Sequence, residues 1–182
     1  EGGHSEHRIL HHKDITGAEI QRALSAGVRQ HPNIQVFENH FAVELITQHH
    51  LGRVIHRGDP DITCFGAYVL DQKTQAVHTF LGRSVVVATG GSGNIYHTTT
   101  NPRTATGDGI AMVYRAKGAV ENMAFVQFHP TSLYHPGERP SFLISEAMRG
   151  YGAVLKTSDG KEFMQKYDPR GSLAPRDITA RA

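Results

Sequence analysis

An arginine at the opening of a helix is a costly choice. In Pro175-Arg176-Asp177, Pro175 suits the first helical position and Asp177 suits the first turn. Arg176 instead opposes the helix macrodipole, at ~0.3–1 kcal/mol. A residue tolerated at a local cost is a candidate for function. An arginine beside free helix N–H groups makes an anion site; the alternative is an arginine that simply turns to solvent. His129-Pro130 ends the apolar run 125–128, and a histidine fixed rigidly at a strand end is a candidate ligand group or a satisfied core histidine. Ser145-Glu146 is followed by Arg149 within a run, Phe142-Leu143-Ile144 and Ala147-Met148, apolar enough to be buried. A buried carboxylate needs a partner, so the Glu146–Arg149 pair is either structural or part of a site.

The glycines form a second group. Thr89-Gly90-Gly91-Ser92-Gly93 follows a strand-like run, as a phosphate-binding turn would. The third glycine of a G-x-G-x-x-G fingerprint would fall on residue 96, which is tyrosine, so the dinucleotide motif fails and a plain strand-ending turn remains open. Thr106-Gly107-Asp108-Gly109 opens a helix. Asp108 reads as its N-cap, while the flanking glycines would let a ligand approach helix N–H groups. His4, His7 and His11 would share one face if helical, and a three-histidine metal site is conceivable there. Gly2-Gly3 is a poor helix start, and a solvated histidine-rich segment is the simpler reading. There is no Gly-x-Ser-x-Gly elbow, and Cys64 has no evident histidine partner, so a hydrolase gains little support.

The elements that must position these residues follow from periodicity and breakers. Thr16 and Glu19 fit a capping box, and Ile20, Ala23, Leu24 and Val28 fall on one helical stripe. His31-Pro32 ends that helix. Strands are predicted at 34–37 and 41–47, and residues 63–70 and 75–81 read as a hairpin turning near Asp71-Gln72-Lys73-Thr74. Residues 84–88 are continuously apolar, as in a strand covered on both faces of a parallel sheet. Helices are predicted over 108–117, stopped by Gly118, over 141–149, and from Pro175; short strands are predicted at 125–128 and 153–156.

Composition bounds the rest. The chain has 182 residues, 38% apolar and 20% charged, with one cysteine and a net charge of +2. That describes an ordinary globular chain with no disulfide framework, no electrostatic case for nucleic acid and no membrane-length apolar run. It begins at Glu1-Gly2-Gly3 rather than at methionine and is expected to be a piece of something longer.

Taken in order, these segments resemble the flavoprotein family of succinate dehydrogenase, fumarate reductase and L-aspartate oxidase. The resemblance rests on Val86-Val87-Ala88-Thr89-Gly90-Gly91, Thr100-Asn101-Pro102 with Thr106-Gly107-Asp108-Gly109, Gln127-Phe128-His129-Pro130-Thr131, Ser145-Glu146-Ala147-Met148-Arg149-Gly150 and Leu173-Ala174-Pro175-Arg176-Asp177-Ile178. Within the family, Glu1-Gly2-Gly3-His4-Ser5 favours the aspartate-oxidising branch. The resemblance implies an α/β and α+β chain, with residues 1–120 the later portion of an FAD-binding, Rossmann-like domain carrying a β-rich insert, and 121–182 part of a mixed capping domain. It implies an FAD-dependent enzyme of NAD biosynthesis that oxidises L-aspartate to iminoaspartate and passes electrons to oxygen or fumarate. Cytoplasmic location and coupling to quinolinate synthase come with it.

By position, the resemblance makes Arg176 the proton donor and acceptor. Glu1 would orient the substrate ammonium, with His129, Ser145 and Glu146 in the substrate site and His129 on a carboxylate. Asp108 and Gly107, the Thr89-Gly90-Gly91 turn, and Val43 would meet FAD. A helix end beside Arg176 would lower its very high pKa toward such a role. Ser145 stands where the family has threonine, and Tyr151 where it has glutamate. The family's N-terminal G-x-G-x-x-G strand, a further substrate histidine and arginine, and a helical domain are not in these residues, so the piece alone is expected to bind FAD weakly or not at all and to lack activity. The rival readings are a fumarate reductase or succinate dehydrogenase flavoprotein and, in another class, a non-catalytic metal-binding module.

Overall fold

The computed structural model describes residues 6–182, and Glu1 and His4 fall outside them. The chain divides into two compact units: one takes the residues up to Ile34 together with Val126–Ala182, the other Gln35–Phe125. Compactness thus groups the first helix with the last third of the chain rather than following a 1–120 and 121–182 division.

The Gln35–Phe125 unit is built on a three-stranded antiparallel sheet, β1 (His40–Thr47), β2 (Cys64–Asp71) and β3 (Val77–Leu81), in that order. The predicted hairpin forms as β2–β3. Asp71 closes its turn by accepting from the Lys73 N–H at 2.8 Å and the Thr74 hydroxyl at 2.8 Å, and these bonds hold its carboxyl below the usual range. The strand predicted at 34–37 does not form, and these residues pair in no ladder among the described residues. The register of β1 on β2 slips between Ala42 and Glu44, which leaves Val43 as a bulge. Leu45, Ile46 and Thr47 at the end of β1 are buried with Ile55, Ala105 and Met112.

Helix α2 (Asp108–Arg115) carries Met112 into that core. Its N-cap is Gly107 at φ 80°, a left-handed conformation suited to glycine, so Asp108 is the first helical residue and not the cap. Arg115 fastens α2 to the bulge, with Nε 2.7 Å from Glu44 Oε2 and Nη2 donating to the Val43 carbonyl at 3.1 Å. Arg57 donates to the carbonyls of Tyr114 and Gly118 at 3.0 and 2.9 Å and lies 4.1 Å over the Tyr114 ring, a cation at a helix C-terminus. Residues 84–88 form no regular element and have no ladder partners among the described residues, and Val86 is 87% exposed. The covered strand expected there needs neighbours that these residues do not supply.

In the other unit, α1 (Thr16–Gln30) ends at His31, extended before Pro32 as expected. The capping box does not form. Thr16 is already helical, its hydroxyl accepts from the His12 N–H at 2.9 Å, and Glu19 pairs with Arg22 at 2.6 Å. The apolar stripe of α1 stays uncovered: none of its residues is buried. His7 and His11 precede the helix in irregular chain, so they share no helical face. The helix predicted over 141–149 shrinks to α3 (Ala147–Gly150) because Leu143 bridges Ser132 in an extended conformation. The strand predicted at 125–128 does not form, and of 153–156 only Lys156 bridges, to Glu162. α4 (Arg176–Arg181) starts after Pro175, which serves as N-cap rather than first helical residue. Met164 and Ala174 are its unit's buried apolar residues.

Candidate functional site

The suspects of the last third converge. Glu146 bridges two guanidinium groups, with Oε2 3.0 Å from Arg176 Nη2 and Oε1 3.2 Å from Arg149 Nη2. The sequence suggested a buried glutamate answered by an arginine. The burial is reversed: Arg149 is 7% exposed, whereas Glu146 and Arg176 are about equally half-exposed. Arg149 also donates Nη1 to the Ser172 carbonyl at 2.8 Å, and its Nε is buried without a partner. Arg176 does not turn to solvent. Its Nη1 donates to Gln127 Oε1 at 3.0 Å, so a carboxylate and an amide offset the cost of a cation at that helix opening.

His129 lies on the same framework. Its Nδ1 is 2.8 Å from the Thr131 carbonyl and 3.3 Å from the Thr131 N–H. Both contacts engage Nδ1 and leave Nε2 as the ring nitrogen for a ligand. The Thr131 hydroxyl donates to the Ile144 carbonyl at 3.0 Å, which ties the histidine segment to Ser145-Glu146. Ser145 Oγ donates to Asp14 Oδ1 at 2.7 Å and accepts from the Ala147 N–H at 3.2 Å. Gln127 and Asp14 received no role from the sequence. Gln127 sat inside a motif segment and could have been suspected from its place two residues before His129; Asp14 gives no sequence signal, because its partner lies 131 residues away.

The far side of this framework is also charge-tied. Asp168 accepts from Arg170 three times, at 2.9, 2.9 and 2.8 Å. The Arg170 side chain and then its backbone N–H hold the Asp168 carboxyl at about 2. This locks the turn that delivers the Ser172 carbonyl to Arg149. The charges of Arg149 and Arg176 are answered by Glu146 and Asp14, so the cluster is balanced; its half-exposed Arg176 guanidinium, with the His129 imidazole on the same framework, is the donor group suited to an anionic, carboxylate-bearing ligand.

The glycine suspects meet in the Gln35–Phe125 unit. The Gly107 N–H donates to the Gly91 carbonyl at 3.2 Å, so the Thr89-Gly90-Gly91 turn lies against the opening of α2. A Cβ on buried Gly109 would collide with the side chains of Thr89 and Val87, so glycine there allows the close approach. Gly90 adopts φ 78°, and a Cβ on it or on Gly91 would meet, among the described residues, nothing within 4 Å beyond its own chain neighbours. Asp108 Oδ2 accepts from the Thr106 hydroxyl at 2.9 Å. An unshielded glycine backbone beside a helix N-terminus fits a phosphate-bearing cofactor. Val43 is not part of that turn; its carbonyl is held by Arg115. Among the described residues no three metal-ligating side chains cluster, and no helix is long and apolar enough to cross a membrane.

A mixed α/β chain with an open glycine turn on a helix N-terminus is the architecture of a nucleotide-cofactor domain. A family model described as FAD binding domain matches residues 1–182, and the chain belongs to that family, that of the succinate dehydrogenase and fumarate reductase flavoproteins, whose cofactor is FAD. L-aspartate oxidase 1 of Ralstonia nicotianae is 53% identical over 182 residues, covering 100% of this chain and 33% of the relative. L-aspartate oxidase of Acinetobacter baylyi is 51% identical, covering 100% and 32%. Among solved structures, a quinol-fumarate reductase with menaquinol molecules matches with 28% identity and a TM-score of 0.77 over 99% of this chain and 30% of that one. Mycobacterium smegmatis Sdh1 in complex with UQ1 matches with 36% identity and a TM-score of 0.67 over 100% and 30%. The chain spans about a third of the length of the curated relatives it matches.

Proposed function

We propose that these residues are an internal part of an FAD-dependent oxidoreductase that oxidises L-aspartate to iminoaspartate, a step of NAD biosynthesis, with electrons passing on to oxygen or fumarate. The observation that carries the reading is the Glu146 carboxylate bridging Arg149 and Arg176, supported by the high identity to L-aspartate oxidases over the whole chain. When bound, FAD supplies the hydride-accepting chemistry. The chain's own residues do the rest. His129, Ser145 and Glu146 bind and orient the dicarboxylate, with His129 donating to a carboxylate from Nε2–H as the imidazolium, whose Nδ1–H the Thr131 carbonyl receives. Arg176 holds and moves the proton, its guanidinium fixed by Glu146 and Gln127 so that the reacting geometry is set beforehand. Glu1 receives the substrate ammonium. Thr89, Gly90, Gly91, Gly107 and Asp108 hold FAD, with Val43 near the adenine.

On the same reading, residues 1–120 are the later portion of the FAD domain and 121–182 part of the capping domain. The whole protein is cytoplasmic, takes L-aspartate and fumarate as small-molecule ligands, and is coupled to quinolinate synthase. The test is anaerobic reduction of the flavin in the full-length protein. L-aspartate is expected to bleach the flavin absorbance and succinate not to; bleaching by succinate alone would replace this reading with the fumarate reductase or succinate dehydrogenase one.

A further inference from the structure

An aspartate two residues before a helix ordinarily spends its carboxylate on the helix's own free N–H groups. Asp14 does not. Helix α1 begins after Ile15 with no side-chain cap, and the Asp14 carboxylate goes to Ser145, 131 residues along the chain, at 2.7 Å. The turn that presents it is held on purpose. The Ile15 N–H donates to the His12 carbonyl at 3.0 Å, the His12 N–H to the Thr16 hydroxyl at 2.9 Å, and Lys13 sits at φ 49°, a left-handed conformation costly for a side-chain-bearing residue. A carboxylate can only accept, so the single Ser145 proton points at Asp14, while a lone pair takes the Ala147 N–H at 3.2 Å. Both bonds together stop the hydroxyl rotating and fix the turn whose next residue is Glu146.

We propose that Asp14 is a positioning residue of the substrate site, acting through the Ser145 hydroxyl; this rests on the reading of Ser145 as a substrate-binding residue given above. It presents the remaining lone pair of Ser145 in one direction, where that oxygen can only accept, from the substrate ammonium.

The test is steady-state kinetics of L-aspartate oxidation by the full-length flavoprotein, with a thermal midpoint for each variant. Asp14→Ala is expected to raise KM about ten-fold, the effect of one lost hydrogen bond, with kcat and the thermal midpoint nearly unmoved. Asp14→Asn keeps an acceptor oxygen and is expected to restore most of the KM. Asp14→Ala added to Ser145→Ala is expected to change nothing further. A merely structural role would lower the midpoint and add its effect in the Ser145→Ala background. Either that additivity, or an unchanged KM in Asp14→Ala while Ser145→Ala raises it, overturns the inference and leaves the wider reading standing. An unchanged KM in Ser145→Ala removes the substrate role of Ser145 and the inference with it.

Discussion

In the Gln35–Phe125 unit the groups proposed to meet a cofactor are mostly backbone. Gly91 and Gly107 share a hydrogen bond, Gly90 faces open space, and Gly109 lets the helix lie against Thr89. A sheet ladder and a core around Leu45, Ile46 and Met112 hold them. In the other unit the groups proposed to meet the substrate are side chains. They are held by one another, through Asp168 on Arg170, Ser172 on Arg149, Arg149 on Glu146 and Glu146 on Arg176, with Arg149 and Arg176 carried on the short helices α3 and α4. The contrast follows from what each ligand needs. Phosphates are served by N–H groups that glycine leaves uncovered. A small dicarboxylate needs charges at fixed points, and fixed charges must be neutralised by their neighbours.

The comparison can be broken most easily at Glu146. Glu146→Ala strands the buried Arg149 charge and is expected to destabilise the protein by about 3 kcal/mol, read as a drop in the unfolding midpoint alongside lost turnover; an unchanged midpoint would mean that the charge chain does not hold its unit. Next in size, Gly109→Ala is expected to cost about 2 kcal/mol through overpacking against Thr89 and Val87 and to loosen FAD, measured as flavin content after gel filtration. Full flavin retention would separate the glycine turn from the cofactor.

The smallest effect concerns acid. The folded Asp168 carboxyl sits at about 2, against roughly 3.9 unfolded. A depressed carboxylate contributes stability that is present above the unfolded value and lost as pH falls through the folded one. Wild type is therefore expected to lose stability between about pH 4 and pH 2 by a component absent from Asp168→Asn. Identical acid profiles for the two proteins would contradict this.

What was legible in the sequence was local. The β2–β3 hairpin is announced by Asp71 to Thr74, α1 by its stripe and His31-Pro32, and α2 by the residues after Gly107. What depended on distant partners was not. The apolar run 84–88 reads as a covered strand, yet its cover is not among these residues. The run 142–144 has helix-compatible periodicity over too few residues to exclude the extended conformation that Leu143 takes opposite Ser132. Thr16 and Glu19 match a capping box one residue out of place. At the site, Arg176 was legible because it violated a local rule. Arg149 looks in the sequence like an ordinary partner of Glu146, since nothing local distinguishes a buried arginine from an exposed one, and Asp14 has no partner near it in the sequence that would mark it.

The central claim is that substrate chemistry and cofactor binding rest on separable sets of residues, and Arg176→Lys in the full-length protein tests it most directly. The variant keeps the charge but loses the fork that reaches both Glu146 and Gln127. The expected result is an unchanged flavin spectrum and flavin content with aspartate turnover reduced about 10²–10³-fold. Full turnover, or loss of the flavin together with activity, would contradict the account.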